Sequence, residues 1–267
     1  LTKSEKDYDR ALISGVLEYC FHNNCEVKKC LDQKDVKAEE CIDIFKQKEL
    51  GGIIWERPSG DCYSLIQKMY AGGIPQVTIS RSLPGIPSVF FDAEFSLRQT
   101  LAFLHGIGHK KIVYLDLPRD EPVFKLRQKA FVDEQRKRGV VDPEKYLCLL
   151  QFSAHQSLRH YDMLPKCTAI IAGSMYIEYL LAWCAERGLS IPGDITVISQ
   201  TSENSPDLKQ HPEISGIIDP RREIGLKAAE LISKQVSGDL ESTAPIKIRG
   251  ELIVRDSCVS PREKAFA

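Results

Sequence analysis

The chain has 267 residues, 43% of them hydrophobic and 27% charged, which is typical of a soluble globular protein and excludes the disordered, collagenous and coiled-coil classes. No stretch approaches the roughly 18 consecutive apolar residues that a membrane helix requires. The 36 Lys and Arg residues balance 37 Asp and Glu, and no basic run exceeds three residues, so the charge pattern of a nucleic-acid-binding domain is missing.

The nine cysteines are an odd number scattered through a long chain, which favours reduced thiols and a cytoplasmic location. Cys20, Cys25 and Cys30 are evenly spaced, but they form no C-x-x-C pair and fall on a predicted helix, loop and strand. Buried or idle thiols are therefore predicted rather than a metal site. Residue 1 is Leu, from which we expect a truncated N-terminus.

Apolar periodicity predicts alternating helices and strands. The first half should contain a helix through Leu12–Cys20, strand 26–31, helix 36–49, strand 51–55, helix 61–72, strand 74–79 and strand 88–91. The second half should contain helix 94–107, strand 110–115, helix 123–138, strand 145–150, a helix near 155–163, strand 168–172, helix 175–187, strand 194–199, strand 214–218, helix 221–236 and strand 250–255. This alternation predicts two parallel sheets of right-handed crossover units, with ligands at the carboxyl ends of the strands.

Common catalytic motifs are absent from the sequence. It contains no G-x-S-x-G, no Walker-type glycine loop, no H-E-x-x-H and no G-x-G-x-x-G after a strand. His155 and His160 lie five residues apart on a polar segment, where a solvated surface role is expected. No catalytic residue, metal ligand or cofactor is predicted.

Ordered sequence blocks occur along nearly the whole chain. They are Gly51–Ile54, Ile74–Ile79, Gly106–Ile112, Leu126–Phe131, Thr168–Ala172, Ala185–Ile198, His211–Ile217, Pro220–Leu231 and Glu251–Ser257. Together these blocks resemble the effector-binding domain of the lactose-repressor family. The run Tyr8–Tyr19 is similar to the xylose-regulator branch, in which this domain precedes an arabinose-regulator-type DNA-binding unit.

The resemblance implies an α/β fold of the periplasmic binding protein type I kind. Two doubly wound parallel-sheet subdomains would be joined by three crossing strands around a sugar-sized cleft. Residues 1–91 and 218–246 would form the N-terminal subdomain, and residues 92–217 and 247–267 the C-terminal one. The family begins with a central strand before the Tyr8 helix, so we expect that an N-terminal segment is missing.

The resemblance also implies effector-binding residues near the strand ends. Arg127 matches a family arginine that grips effector hydroxyls or carboxylates, and a forked guanidinium suits that role; a surface salt bridge is the alternative. Tyr8 matches an aromatic residue that lines the cleft, with core packing as the alternative. The further candidates are Ser80, Gly173, Ser174, Thr201, Asp219 and Arg221.

Three positions depart from the family pattern. Gly173-Ser174 replaces an Asn-Asp pair, Gln200-Thr201-Ser202 stands where an aspartate pair is expected, and Ser80 replaces an aspartate. A site without these acceptors should suit a less hydroxyl-rich or more anionic ligand than a neutral sugar. The alternative is a drifted site, meaning one that has lost its binding residues and holds no ligand tightly.

The resulting functional prediction is the effector-sensing, dimerising domain of a bacterial transcription regulator. Its effector would be a sugar, sugar acid or sugar phosphate, and operator DNA would be bound only by a domain outside these residues. Near-neutral charge agrees with a sensor core that lacks its DNA-binding part. A solute-binding protein of a transport system and an α/β enzyme with an unfamiliar active site are the alternatives.

Overall fold

The computed structural model describes residues 3–25, 27, 50–58, 60–119, 122–151, 158–202 and 205–261. The chain divides into two compact units, which we call unit 1 (Leu1–Phe91 and Pro220–Ile248) and unit 2 (Asp92–Asp219 and Arg249–Ala267). The expected boundaries put 218–219 in the first subdomain and 247–248 in the second. In the structure Asp219 ends a strand of the unit 2 sheet and Ile248 ends a strand of the unit 1 sheet, so both boundaries move.

Helices and strands alternate along most of the described chain. They are α1 (Lys3–His22), β1 (Ile53–Glu56), α2 (Gly60–Ala71), β2 (Gln76–Ile79), β3 (Ser88–Phe91), α3 (Ala93–Gly106), β4 (Ile112–Asp116), α4 (Pro122–Lys137), β5 (Leu147–Leu149), β6 (Ala169–Gly173), α5 (Ser174–Glu186), β7 (Thr196–Ser202), α6 (Pro206–Gln210), β8 (Ser215–Asp219), α7 (Arg221–Ser237), β9 (Ile246–Ile248) and β10 (Glu251–Ile253). Short 3-10 helices occupy Pro143–Tyr146 and Leu158–Met163.

Most predicted elements are present with ends shifted by one to three residues, and the exceptions lie in four regions. The helix predicted near 155–163 is, in its described part, a 3-10 helix, and Pro165 just beyond it disfavours a longer helix. The strand predicted at 145–150 starts later, after a 3-10 turn at Pro143–Tyr146. Apolar periodicity predicted neither β9 nor α6. The strand predicted at 26–31 and the helix predicted at 36–49 lie outside the described residues.

Unit 1 contains a four-stranded parallel sheet in the order β1-β2-β3-β9. Its strands are short, and β2 is buried along its whole length. One face packs Val77, Ile79 and Val89 against α1 and α7, and the other face packs Trp55 against α2. Helices thus cover both faces, as in a doubly wound sheet.

Two glycines set the distance between α1 and α7. A Cβ atom on Gly15 would lie 1.9 Å from the backbone oxygen of Arg222, and one on Gly225 would lie 2.0 Å from the backbone oxygen of Leu12. Each helix therefore places a glycine against the backbone of the other. Side chains at these positions would force the helices apart, since a backbone cannot move aside as a side chain can.

Unit 2 contains a six-stranded sheet in the order β10-β8-β7-β6-β4-β5, in which only β10 is antiparallel to its neighbour. β4 is buried along its whole length, as expected for a strand covered on both faces. Ile177 and Leu180 of α5 pack on Val113 and Ile170 on one face. On the other face the rings of Tyr114 and Phe131 lie 5.4 Å apart.

Ser257 ties the C-terminal tail to the start of two unit 2 strands. Its hydroxyl donates to the Val197 oxygen at 2.6 Å and accepts from the Ser215 nitrogen at 2.8 Å. Its backbone oxygen accepts from the Val197 nitrogen at 3.1 Å, and only 1% of the residue is exposed. The tail is therefore part of the sheet's hydrogen bonding rather than a loose extension.

We expect Ser257→Ala to lower the stability of unit 2 by about 2 kcal/mol, because it leaves buried backbone groups without their partner. For a chain of this size the thermal midpoint should fall by roughly 5 °C in differential scanning calorimetry. Ser237→Ala is the matched control, since the Ser237 hydroxyl makes an exposed 3.3 Å hydrogen bond to Lys234. Equal midpoints for the two variants would contradict a stabilising role for the Ser257 hydroxyl.

Candidate functional site

The carboxyl ends of the unit 2 strands meet at one edge of the sheet, and polar residues collect there. Asp116 ends β4, Gly173 ends β6 and Asp219 ends β8. The strand register pairs Gly173 with Gln200 and Ser202 with Asp219. This edge is where ligands bind in open parallel sheets, and we call it the unit 2 edge.

An ion pair between Arg127 and Asp116 lies at the unit 2 edge. Arg127 Nε donates to Asp116 Oδ2 at 2.9 Å, and a second guanidinium nitrogen donates to Oδ1. The Leu117 nitrogen donates to Oδ1 at 2.8 Å and Gln128 Nε2 to Oδ2 at 3.2 Å. The Arg127 side chain is 20% exposed and that of Asp116 is 4% exposed. Arg127 therefore makes the salt bridge named as its alternative role, but in a largely buried setting.

Phe124 supports the same arginine from α4. The Arg127 guanidinium carbon lies 4.1 Å from the centre of the Phe124 ring, and that of Arg119 lies 5.2 Å from it. Stacking on an aromatic face and a bidentate carboxylate contact together fix the orientation of a guanidinium group. Arg127 is thus held in one geometry at the unit 2 edge.

Two buried tyrosines, Tyr114 and Tyr176, lie beside this ion pair. The Tyr114 hydroxyl donates to Gln200 Oε1 at 2.8 Å, and the Tyr176 hydroxyl donates to the Leu150 oxygen. Burial raises the pKa of both hydroxyls far above the usual tyrosine value, so they remain protonated donors at any physiological pH. The Gln200 amide oxygen is therefore engaged inside unit 2.

The predicted residues of unit 2 share this edge but differ in exposure. Gly173 and Ser174 are half-buried where β6 passes into α5, and a Cβ atom on Gly173 would meet the Tyr176 ring at 3.7 Å. Thr201 and Asp219 are buried, with 8% and 7% exposed. Gly173 and Ser174 thus present small surfaces to solvent, whereas Thr201 and Asp219 lie within the sheet.

The other predicted residues belong to unit 1. Ser80 follows β2 with a φ of +63°, and its nitrogen donates to the Val89 oxygen at 3.0 Å. Arg221 has no exposed surface, and its guanidinium donates to Glu56 at the end of β1. In this structure Arg221 therefore ties α7 to β1 and does not present its guanidinium to solvent. Tyr8 lies on α1, and its side chain is outside the described part of the chain.

Three arginines, Arg57, Arg81 and Arg221, lie near the carboxyl ends of the unit 1 strands β1 and β2. Glu56 Oε1 lies 3.8 Å from Arg57 Nε and also accepts from Arg221. Arg81 follows β2, and its Nη1 donates to the Tyr63 hydroxyl at 3.0 Å.

Asp116 and Glu56 were not predicted from the sequence. Each is a carboxylate at the last position of a strand, which could have served as the signal.

Within the ranges that the structure covers, no group of three or more His, Cys, Asp or Glu side chains is arranged to hold a metal ion. In the same part of the chain, no helix combines the length and hydropathy of a membrane span. His160 is half-buried rather than solvated, and its Nδ1 is a buried atom.

Comparison with known proteins agrees with this architecture. A family model described as the periplasmic binding protein-like domain matches residues 101–258. The HTH-type transcriptional repressor CytR of Escherichia coli (strain K12) is 26% identical over 181 residues, covering 64% of this chain and 52% of the repressor. The chain thus spans about half the length of this curated relative.

Solved structures extend the similarity to almost the whole chain. A regulatory protein of the LacI family from Chloroflexus aggregans has a TM-score of 0.77 at 21% identity, covering 92% of this chain and 91% of that one. The transcriptional regulator CelR in complex with cellobiose has a TM-score of 0.77 at 17% identity, covering 94% and 79%. The chain belongs to the periplasmic binding protein-like domain family. The predicted resemblance to effector-binding domains of lactose-repressor-type regulators is confirmed, and the xylose-regulator branch stays a prediction.

Proposed function

We propose that the chain is the ligand-sensing domain of a bacterial transcription regulator and has no catalytic activity of its own. The observation that carries this proposal is the oriented Arg127 at the carboxyl edge of a parallel sheet, in a chain whose relatives are named as transcriptional regulators. A fixed guanidinium supplies directional donors to a ligand hydroxyl, carboxylate or phosphate. The binding of that ligand between the two subdomains stays a prediction of the resemblance.

The proposed ligand is a sugar derivative that carries negative charge, such as a sugar acid or sugar phosphate. Asp116 already accepts hydrogen bonds from Arg127, Leu117 and Gln128, which leaves it little capacity to accept from ligand hydroxyls. Gly173 and Ser174 add no carboxylate at this edge. The cellobiose complex of CelR supports a carbohydrate ligand for this fold. The filled acceptor sites of Asp116 favour a ligand group that accepts hydrogen bonds, such as a carboxylate or phosphate.

The transcriptional part of the proposal rests on the relatives. CytR is named an HTH-type repressor, and this chain matches about half of its length, so we propose that operator DNA is bound by a unit outside residues 1–267. We propose further that the domain works in the cytoplasm as a homodimer. A ligand-dependent equilibrium in the sensor would then bias DNA binding through a coupling free energy between the two sites.

The experiment is a thermal unfolding panel of pentoses, hexoses, sugar acids and sugar phosphates. A ligand at about 100 times its dissociation constant should stabilise the protein by roughly 2.7 kcal/mol and raise its midpoint by about 5 to 10 °C. At the same ligand concentration Arg127→Ala should cut the shift to about half or less. Arg136→Ala should retain it, because Arg136 lies on the same helix but pairs with Glu144 at the surface.

The panel distinguishes the competing ligand classes. The largest shift should come from an acid or a phosphate. A neutral pentose or hexose that binds at micromolar affinity would contradict the anionic ligand class. Cooperative melting with no shift from any compound would contradict the sensing function and favour a drifted site.

A further inference from the structure

The C-terminal end of α1 brings two cysteines together. The Cys25 nitrogen donates to the Cys20 oxygen at 3.1 Å, and Asn24 between them adopts a left-handed φ of 52°. This hydrogen bond runs from the third residue beyond His22, the last residue of α1, back to the last turn of the helix, and it is the 6→1 bond of a Schellman-type helix end. Both residues joined by this bond are cysteines, and their side chains lie within hydrogen-bonding distance of each other.

The two thiols differ in exposure. Cys25 is exposed and Cys20 is buried, with 8% of its surface accessible, and both are free thiols. Burial, together with a hydrogen bond to the Cys25 side chain, raises the pKa of Cys20 to about 11. Both residues line a shallow surface depression with Leu17 and Phe21, so a small oxidant has access to the pair.

We propose that Cys20 and Cys25 form a reversible disulfide when the protein meets a hydroperoxide. Cys25 is the exposed thiol: its sulfur attacks the peroxide, the O–O bond breaks, and the Cys25 sulfenic acid and one water (or alcohol) form. The Cys20 sulfur then attacks the Cys25 sulfur and displaces a second water. Two thiols are oxidised by two electrons in total and the hydroperoxide is reduced by two, which balances the reaction.

The cysteines of unit 2 are Cys148, Cys167, Cys184 and Cys258, of which Cys258 is buried and has a pKa that burial raises. Burial raises the pKa of Cys148 and Cys184 to about 11 and that of Cys167 to about 12, so all three remain protonated thiols. None of the three is exposed. A small hydroperoxide should therefore oxidise the Cys20–Cys25 pair in preference to these unit 2 cysteines, and the proposal does not depend on the proposed ligand.

The test treats the whole purified protein with hydrogen peroxide, alkylates the remaining thiols with N-ethylmaleimide and maps tryptic peptides by mass spectrometry. Cleavage after Arg10 and Lys28 releases a peptide that contains Cys20 and Cys25 and no other cysteine. We expect this peptide to lose about 2 Da and to carry no maleimide, and dithiothreitol should restore both labelled thiols. A Cys25 sulfinic acid beside an unmodified Cys20, or a link from Cys25 to another cysteine, would overturn the proposal.

Single variants assign the two roles. In Cys20→Ser, Cys25 should stop at the sulfenic acid and be trapped by dimedone. In Cys25→Ser, Cys20 should stay reduced under the same treatment. Cys62→Ser is the control and should leave the Cys20–Cys25 link unchanged. Dimedone labelling of Cys20 in Cys25→Ser, with none on Cys25 in Cys20→Ser, would contradict the assigned order.

Discussion

Gly225→Ala is expected to destabilise unit 1 by about 3 kcal/mol, at the upper end of what overpacking usually costs. The new methyl group would overlap the Leu12 backbone oxygen, which a Cβ atom would approach to 2.0 Å. That oxygen belongs to the backbone of α1, so the steric overlap can be removed only if the two helices move apart along their contact. Gly15→Ala meets the Arg222 oxygen from the other side and should have a similar effect.

The measurement is urea unfolding followed by circular dichroism, with Gly106→Ala as the control. Gly106 ends α3, and a Cβ atom there would meet nothing within 4 Å. Because alanine restricts the unfolded chain, Gly106→Ala should be neutral or stabilise by up to about 1 kcal/mol. If Gly225→Ala behaved like Gly106→Ala, the close crossing of α1 and α7 would be wrong.

Arg127→Ala is expected to destabilise unit 2 by about 3 kcal/mol. It leaves the Asp116 carboxylate buried without its cation, and breaking a buried pair from one side usually costs about 3 to 5 kcal/mol. The lower end applies because the Arg127 side chain keeps 20% of its surface in solvent and Asp116 retains two other donors. Asp116→Ala should be less harmful, because the arginine that remains is closer to water.

A double-mutant cycle measures the coupling free energy between Asp116 and Arg127. The Asp116→Ala/Arg127→Ala variant should be more stable than the sum of the single losses implies, by about 1 to 3 kcal/mol. Arg136→Ala controls for the loss of an arginine from α4, since its pair with Glu144 is exposed and should contribute less than about 1 kcal/mol. Additive losses would show that the two side chains do not depend on each other.

Periodicity predicted most of the architecture because the sheets are buried on both faces. Apolar runs such as Ile112–Asp116 and Ala169–Gly173 are easily distinguished from the amphipathic helices between them. The element predicted near 155–163 lacks that contrast, and its described part is a 3-10 helix. β9 was missed because its three residues are too few to show a period.

The candidate site was harder to predict, because its key contacts depend on pairing between distant residues. Arg127 was identified by resemblance alone, and nothing in its own helix indicates that Asp116 binds it. Arg221 was predicted as a ligand contact from its block, whereas its burial follows from Glu56, a residue far away in the sequence. The Cys20–Cys25 contact depends on the left-handed Asn24, which spacing alone does not reveal.

The most direct test of the central claim is calorimetric titration of the panel compound that gives the largest thermal shift. We expect one ligand to bind per chain, with affinity reduced about 10- to 100-fold in Arg127→Ala, the loss expected when a charged hydrogen bond is removed. Arg136→Ala should bind as the unmodified protein does. Equal affinity in Arg127→Ala, or no binding of any sugar derivative by a folded protein, would contradict the assignment of a ligand-sensing site at this edge.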